Sequence, residues 1–179
     1  MKPPTLIETE RLLLRVPRLE DAPAVFEGWA RHPEVTRFLT WRPHTSVAQS
    51  EELLRKSIEA WEGDAKFRYL LEIKGSGELA GMIELRLEAE VFKVSLGYTG
   101  ARAQWGKGYM TEAARALIDW AFQQTGVYRV YATADVENIP SQRVLEKAGM
   151  QREGLLRREV MHPNSSPESR DCYMYAIVR

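Results

Sequence analysis

The sequence predicts a mixed α/β domain, a sheet with helices packed on it. Three observations carry this prediction. Helix-like and strand-like segments alternate along the chain, three strand-like runs stand consecutively in its middle, and one long apolar-striped helix follows a glycine turn after them. A length of 179 residues suits one domain, 1–179, with a core of its own.

Taken in order, RLLLRV (11–16) reads as a short strand. Leu19-Glu20-Asp21 opens a helical stretch through Ala22, Val25, Phe26 and Trp29 that ends near His32-Pro33, and a second short helix covers 34–39. From Ser46 to Trp61, the residues Val47, Leu53, Leu54, Ile58 and Trp61 recur at helical spacing. Strands follow at 67–73, 78–88 and 91–98, and Lys74-Gly75-Ser76-Gly77 turns the first two into a hairpin. Met110, Ala113, Ala114, Leu117, Ile118, Ala121 and Phe122 then draw one apolar stripe along a helix that Gly126 closes. VYRVYATAD (127–135) alternates like a strand, and 141–149 is helical with Gly149 as C-cap. Two last strands, 150–160 and 172–178, flank the polar loop HPNSSPESR.

Composition excludes several classes. Hydrophobic residues at 44% and charged residues at 28% are ordinary for a soluble globular protein. Lys plus Arg and Asp plus Glu balance at 25 each, so no overall basic field points to nucleic acid or a membrane surface. The single cysteine, Cys172, excludes an internal disulfide and suits a reducing compartment. The start MKPPTLIETERLLLRV lacks the apolar run of a signal peptide, and no stretch approaches the roughly 20 apolar residues of a membrane span. The expectation is a cytoplasmic protein. His32, His44 and His162 are scattered and form no metal-ligand spacing with Cys172; they read as loop residues, and no metal site is expected. Cys172, with no histidine near it in sequence, reads as a small core residue rather than a nucleophile.

The Gly106-Lys107-Gly108 turn at the mouth of the striped helix carries the chemistry. Amides at a helix start lack intrahelical partners and sit at the positive end of the helix dipole, so a glycine-rich turn there can close on an anion. Lys107 adds a positive charge. The spacing is not that of a P-loop, and the third glycine of a dinucleotide fingerprint is replaced by Thr111. Taken locally, the turn is either an anion site or a plain glycine hinge.

The run GYTGARAQWGKGYMTEAARALIDWAF, followed by ADVENIPSQRVLEKAGM, resembles the GNAT superfamily of acetyl-CoA-dependent N-acetyltransferases. It is most similar to the RimJ/RimL-type branch, whose members acetylate the N-terminal amines of ribosomal proteins or other amines. ETERLLLRVPRLEDAPAVFEGW and RDCYMYAIVR resemble the two ends of that branch, so the likeness spans nearly the whole chain. It implies a single GNAT-like domain with a mixed, mostly antiparallel central sheet of about 6–7 strands and helices on both faces. It also implies acetyl-CoA as acetyl donor, with no metal, and direct transfer to a primary amine. The acceptor is either a protein N-terminus or a small molecule such as an aminoglycoside, polyamine or amino acid. A non-catalytic coenzyme A-binding module is the alternative, and a homodimer is left open.

Residue by residue, the family's pyrophosphate loop, Gln/Arg-x-x-Gly-x-Gly/Ala, falls on Trp105-Gly106-Lys107-Gly108-Tyr109-Met110, with Thr111 next to it. Trp105 replaces Gln/Arg, and Met110 replaces Gly/Ala where it would crowd the loop. Leu96-Gly97-Tyr98-Thr99-Gly100 matches the strand end that pairs with the pantetheine arm, and an N–H near Tyr98 would polarise the thioester carbonyl. Asn138 matches a cofactor-arm contact and equally suits a helix cap. Leu145 stands where many members carry an acidic tyrosine; Ser141 is the candidate replacement, or a hydroxyl bonded to the local backbone. Glu84 is the first candidate base and Glu72 the second, each alternatively a partner of Arg86 or Arg68. Trp41 and Arg170-Asp171 are candidates for shaping the acceptor pocket.

Overall fold

The computed structural model describes residues 1–88 and 92–179. Eight strands, β1 (Leu6–Glu8), β2 (Leu12–Arg15), β3 (Lys66–Ile73), β4 (Leu79–Leu87), β5 (Lys93–Gly100), β6 (Arg129–Asp135), β7 (Gln151–Val160) and β8 (Arg170–Val178), form one sheet. Their order is β1-β2-β3-β4-β5-β6-β8-β7, antiparallel except for β5 beside β6. The mixed class is as expected, but the count is eight rather than six or seven. The additional strand is β1, whose three residues pair with β2 and are too few to show a period. The start expected at Val91 lies outside the described residues; the strand runs from Lys93 on to Gly100.

The helices are α1 (Ala22–Val25), α2 (Pro33–Thr36), α3 (Val47–Ala60), α4 (Tyr109–Gln123) and α5 (Ile139–Lys147). The first expected helix is a composite. A 3-10 turn at Leu19–Asp21 leads into α1, and a π segment follows at Phe26–Ala30, where the Arg31 amide reaches back five residues to the Phe26 carbonyl at 3.2 Å. His32 is extended because it precedes a proline, and α2 begins on Pro33, where the missing N–H costs nothing. Gly149 follows the Ala148 cap of α5 in left-handed backbone, as the sequence suggests, whereas α4 already ends on an extended Gln124 and the left-handed Gly126 sits in the turn beyond it.

Alternation along the strands sorts the core into two layers. Ile83, Leu85, Leu96, Val130, Ala132 and Tyr175 meet the stripe of α4, whose Ala113 and Ala114 are fully buried, with Leu145 of α5. Leu70 and Met82, on the opposite face, meet α1 and the π segment through Val25 and Trp29 and α3 through Leu54. Burying each Leu, Ile, Val or Met among these contributes about 1.5–3 kcal/mol relative to leaving it in water.

One irregularity positions everything that follows. β5 and β6 pair only at Lys93↔Arg129, Val94↔Val130 and Ser95↔Tyr131. Beyond these, β5 runs to Gly100 and β6 to Asp135 with no further pairing between them among the described residues, so the sheet forks.

Candidate active site

A cleft of about 2000 Å³ runs through the fork and is lined from both faces of the sheet. On one face lie the Gly106–Gly108 turn, the start of α4, Tyr98 and α5; on the other lie Glu84, Asp135, His162, Phe38 and Trp41.

Gly106 and Gly108 have φ of +77° and +82°, left-handed values that side chains resist. Among the described residues no protein group accepts the backbone N–H of residues 106–111, at the start of the 15-residue α4, and Gly106, Gly108, Tyr109, Met110 and Thr111 line the cleft. The turn is held from 96 residues away: Arg11 donates to the Lys107 carbonyl at 3.0 Å and pairs with Glu112 at 2.7 Å, and Thr9 donates to Glu112 at 2.6 Å. Burial alone would raise the Glu112 carboxyl, but these bonds outweigh it and hold it below the usual carboxylate range. Lys107 bonds to Gln104 at 2.8 Å. The Trp105 indole folds back to donate to the Gly100 carbonyl at 2.9 Å, with Arg102 stacked 4.6 Å from its ring centre. Met110 does not fill the turn: it packs on the core, its methyl 3.2 Å from where a Cβ on Gly81 would stand.

Tyr98 and Ser141 meet at the fork. The Tyr98 hydroxyl lies 2.9 Å from the Ser141 Oγ and 3.1 Å from the Ser141 carbonyl oxygen, and burial pushes the phenol well above its ordinary pKa. Asn138 caps α5, its side-chain oxygen accepting the Ser141 amide at 3.3 Å. Leu145 is wholly buried in the core, so this chain has apolar packing where the tyrosine of the resembled family would stand.

Glu84 lies on the opposite face, 7% exposed, accepting from both Arg68 and Arg86. Burial would raise its carboxyl, yet the two guanidinium charges win and hold it below the usual range. Glu72 is on β3 and pairs with Arg15 at 2.5 Å. Asp135, at the tip of β6, accepts two bonds from Arg170 at 2.5 and 3.0 Å. Arg170 also pairs with Glu137 at 3.0 Å, and Asp171 accepts the Arg158 amide at 2.9 Å. Trp41 lines the cleft as expected and stacks on His44, ring centres 4.9 Å apart. His162 lies in a loop, as read, but its side chain is buried. It is 6% exposed, with Nε2 3.7 Å from the Asp135 carboxylate, because Asn164 pins its loop to the carbonyls of Thr36 and Trp41 at 2.8 and 2.7 Å. Three buried polar atoms lack a partner among the described residues, Trp29 Nε1, Thr99 Oγ1 and His162 Nδ1, and all three residues line this cleft. Among the described residues no group of three or more His, Cys, Asp or Glu could hold a metal ion.

The acetyltransferase (GNAT) domain family matches residues 11–151. This chain belongs to the GNAT acetyltransferases. It is similar to the uncharacterized N-acetyltransferase p20 of Bacillus licheniformis, 32% identical over 96% of this chain and 94% of p20. It also resembles a GNAT-family acetyltransferase from Bacillus anthracis at 29% identity, TM-score 0.84, over 97% and 98% of the two chains. RimJ of Mycobacterium smegmatis, solved with a CoA-disulfide, has the same fold at 24% identity and TM-score 0.80, covering 98% of this chain and 88% of that one.

In this GNAT domain the structure brings Tyr98, Thr99, Gly100, Trp105, Gly106, Gly108, Tyr109, Met110, Thr111, Asn138, Ser141 and Glu84 to one cleft. Lys107 stands beside it with its ammonium turned to Gln104. Sequence reasoning misses Arg11, Asp135, Asn164 and His162. Each acts through a partner far away in the chain, and no local spacing marks them.

Proposed function

We propose that this acetyltransferase moves the acetyl group of acetyl-CoA directly to a primary amine, the N-terminal amine of a protein or peptide being the leading acceptor class. The fork carries the reading. It leaves strand-edge backbone groups on β5 free beside a glycine turn with six unpartnered amides, a place where a pantetheine arm can pair and a pyrophosphate can dock. These residues fit the donor: the turn has the left-handed backbone that close approach needs, and Met110 leaves it open.

Within that arrangement each residue has a task. Amides at 106–111 bind the pyrophosphate, and Asn138, while capping α5, borders the arm. An N–H near Tyr98 takes the charge that builds on the thioester oxygen as the amine attacks. With the Tyr98 proton given to the Ser141 carbonyl, the Ser141 hydroxyl is left to protonate the departing sulfur. The base role proposed for Glu84 fits the geometry poorly. A carboxylate held by two guanidinium groups has lost proton affinity, and its place is to anchor Arg68 and Arg86.

Thiol release from acetyl-CoA, measured with alanine- and serine-initiated peptides, spermidine, aminoglycosides and amino acids, tests the proposal. Turnover with peptides supports it, and turnover confined to a small amine moves the acceptor class. Donor binding without turnover across the panel leaves only a coenzyme A-binding module.

A further inference from the structure

We infer that His162 takes the proton from the attacking amine, with Asp135 orienting its ring. The inference rests on the acetyl-transfer reading above and names the base that reading lacks. It starts from the sheet: Asp135 and Cys172 are register partners, and Asp135 alternates with Ala134, whose side chain belongs to the layer under α4. Asp135 and His162 therefore stand on the face of the fork opposite Tyr98 and Ser141. A carbonyl held in the fork has its proton donor on one face and His162 on the other, the arrangement direct displacement requires.

The local environment suits a base. The imidazole is buried, faces the edge of Phe38 with ring centres 6.1 Å apart, and lines the cleft. Nε2 stands 3.7 Å from the Asp135 carboxylate, which orients the ring and stabilises the imidazolium once it forms, while Nδ1 is buried without a partner. The neighbouring carboxylates are engaged, Asp135 by Arg170, Glu137 by Arg170 and Arg37, Glu84 by Arg68 and Arg86. Cys172 is held as a thiol, since burial pushes its pKa up to about 11. Burial also lowers the imidazole's proton affinity; the Asp135 charge and the Leu39 carbonyl push back, Arg170 adds to the lowering, and the net effect is a ring neutral at neutral pH.

The step balances. The amine nitrogen forms the C–N bond and gives its proton to the His162 ring, the C–S bond breaks, and the sulfur takes the Ser141 proton. The imidazolium proton returns through solvent to the Ser141 oxygen, leaving an amide and a free thiol.

His162→Gln and His162→Ala in the full chain test the assignment, with acetyl-CoA and two acceptor probes, an alanine-initiated hexapeptide and spermidine. We expect kcat/KM to fall about a hundredfold or more while donor affinity changes less than about threefold. In the wild type, log(kcat/KM) against pH steepens from slope one to slope two below about pH 6.5, because amine and imidazole must both be deprotonated. The variants keep slope one, and added imidazole restores part of the His162→Ala rate. Variants that match the wild-type rate and its steepening overturn the inference. If neither probe is acetylated, the acetyl-transfer reading fails for those acceptors. In that case, or if the variants unfold, NMR titration of the wild-type ring decides for His162. A neutral ring titrating below about pH 6.5 supports the role, and a ring still protonated at about pH 7.5 ends it.

Discussion

Replacing Glu84 by glutamine separates an anchoring carboxylate from a catalytic one. The side chain is 7% exposed and accepts from the Nε atoms of Arg68 and Arg86. Glutamine keeps one acceptor oxygen and turns an NH2 toward the other guanidinium, so one charge-assisted bond, worth about 1.5–3 kcal/mol, is lost. Breaking a fully buried pair costs about 3–5 kcal/mol, but Arg68 and Arg86 are 29% and 45% exposed and water can solvate them. We therefore expect a loss of about 2 kcal/mol, a fall in Tm of roughly 4–8 °C for a chain of this size. Turnover measured below the new Tm should stay within about threefold, since general-base loss would cost about a hundredfold or more. The folded carboxyl is held below its unfolded pKa, so its contribution is present above the ordinary glutamate value of about 4.3 and fades as pH falls through the folded value. Calorimetry of both proteins at neutral pH and near pH 4 should show the Tm gap narrowing in acid. An unchanged Tm with a hundredfold loss of kcat would refute the anchoring role and restore Glu84 as base.

Three further substitutions probe the donor side. Ser141→Ala should lower kcat at least about tenfold with acetyl-CoA affinity within about threefold, and unchanged turnover would remove Ser141 from the mechanism. Gly108→Val meets a φ of +82° and Arg11 3.4 Å from its Cβ. Left-handed backbone costs about 1–2 kcal/mol, so calorimetric binding should show donor affinity weaker by about tenfold, and retained affinity would refute the loop assignment. Gly81→Ala would place a Cβ 2.3 Å from the Thr99 carbonyl oxygen and 2.9 Å from the Gly100 Cα, displacing the end of β5. Urea unfolding should show a loss of at least about 2 kcal/mol together with weaker donor binding, and a wild-type midpoint would contradict the close approach.

What is legible in this sequence is what local physics enforces. The α4 stripe from Met110 to Phe122 is visible because one face must be apolar every 3.6 residues, and the glycine turn because few other residues take its backbone angles. The fork is not legible: how far β5 and β6 pair depends on packing across the whole crossover, and both strands alternate normally on either side of the break. Met110 reads as an obstruction from its position alone, and only the folded chain shows its methyl packed beside the bare Cα of Gly81. His162 sits in a run of Pro, Asn and Ser that reads as solvent-facing loop. Its burial comes from Asn164 bonding to carbonyls more than 120 residues earlier, a contact no window of sequence contains. Tyr98 and Ser141 reach the same place by different routes, one by strand register and one by the Asn138 cap, and a motif match names them without showing that they touch.

The fork also bears on how the folded state is completed. A sheet that stops pairing partway leaves part of its hydrogen-bonding capacity unused, and the chain folds without it. A donor that pairs with those groups adds to folding free energy by mass action, about 2.7 kcal/mol at a hundred times its Kd. Thermal stability then becomes a readout of free acetyl donor. Amides on the open sides of β5 and β6 then gain protection from solvent exchange when the donor binds, so exchange at the fork reports the same equilibrium.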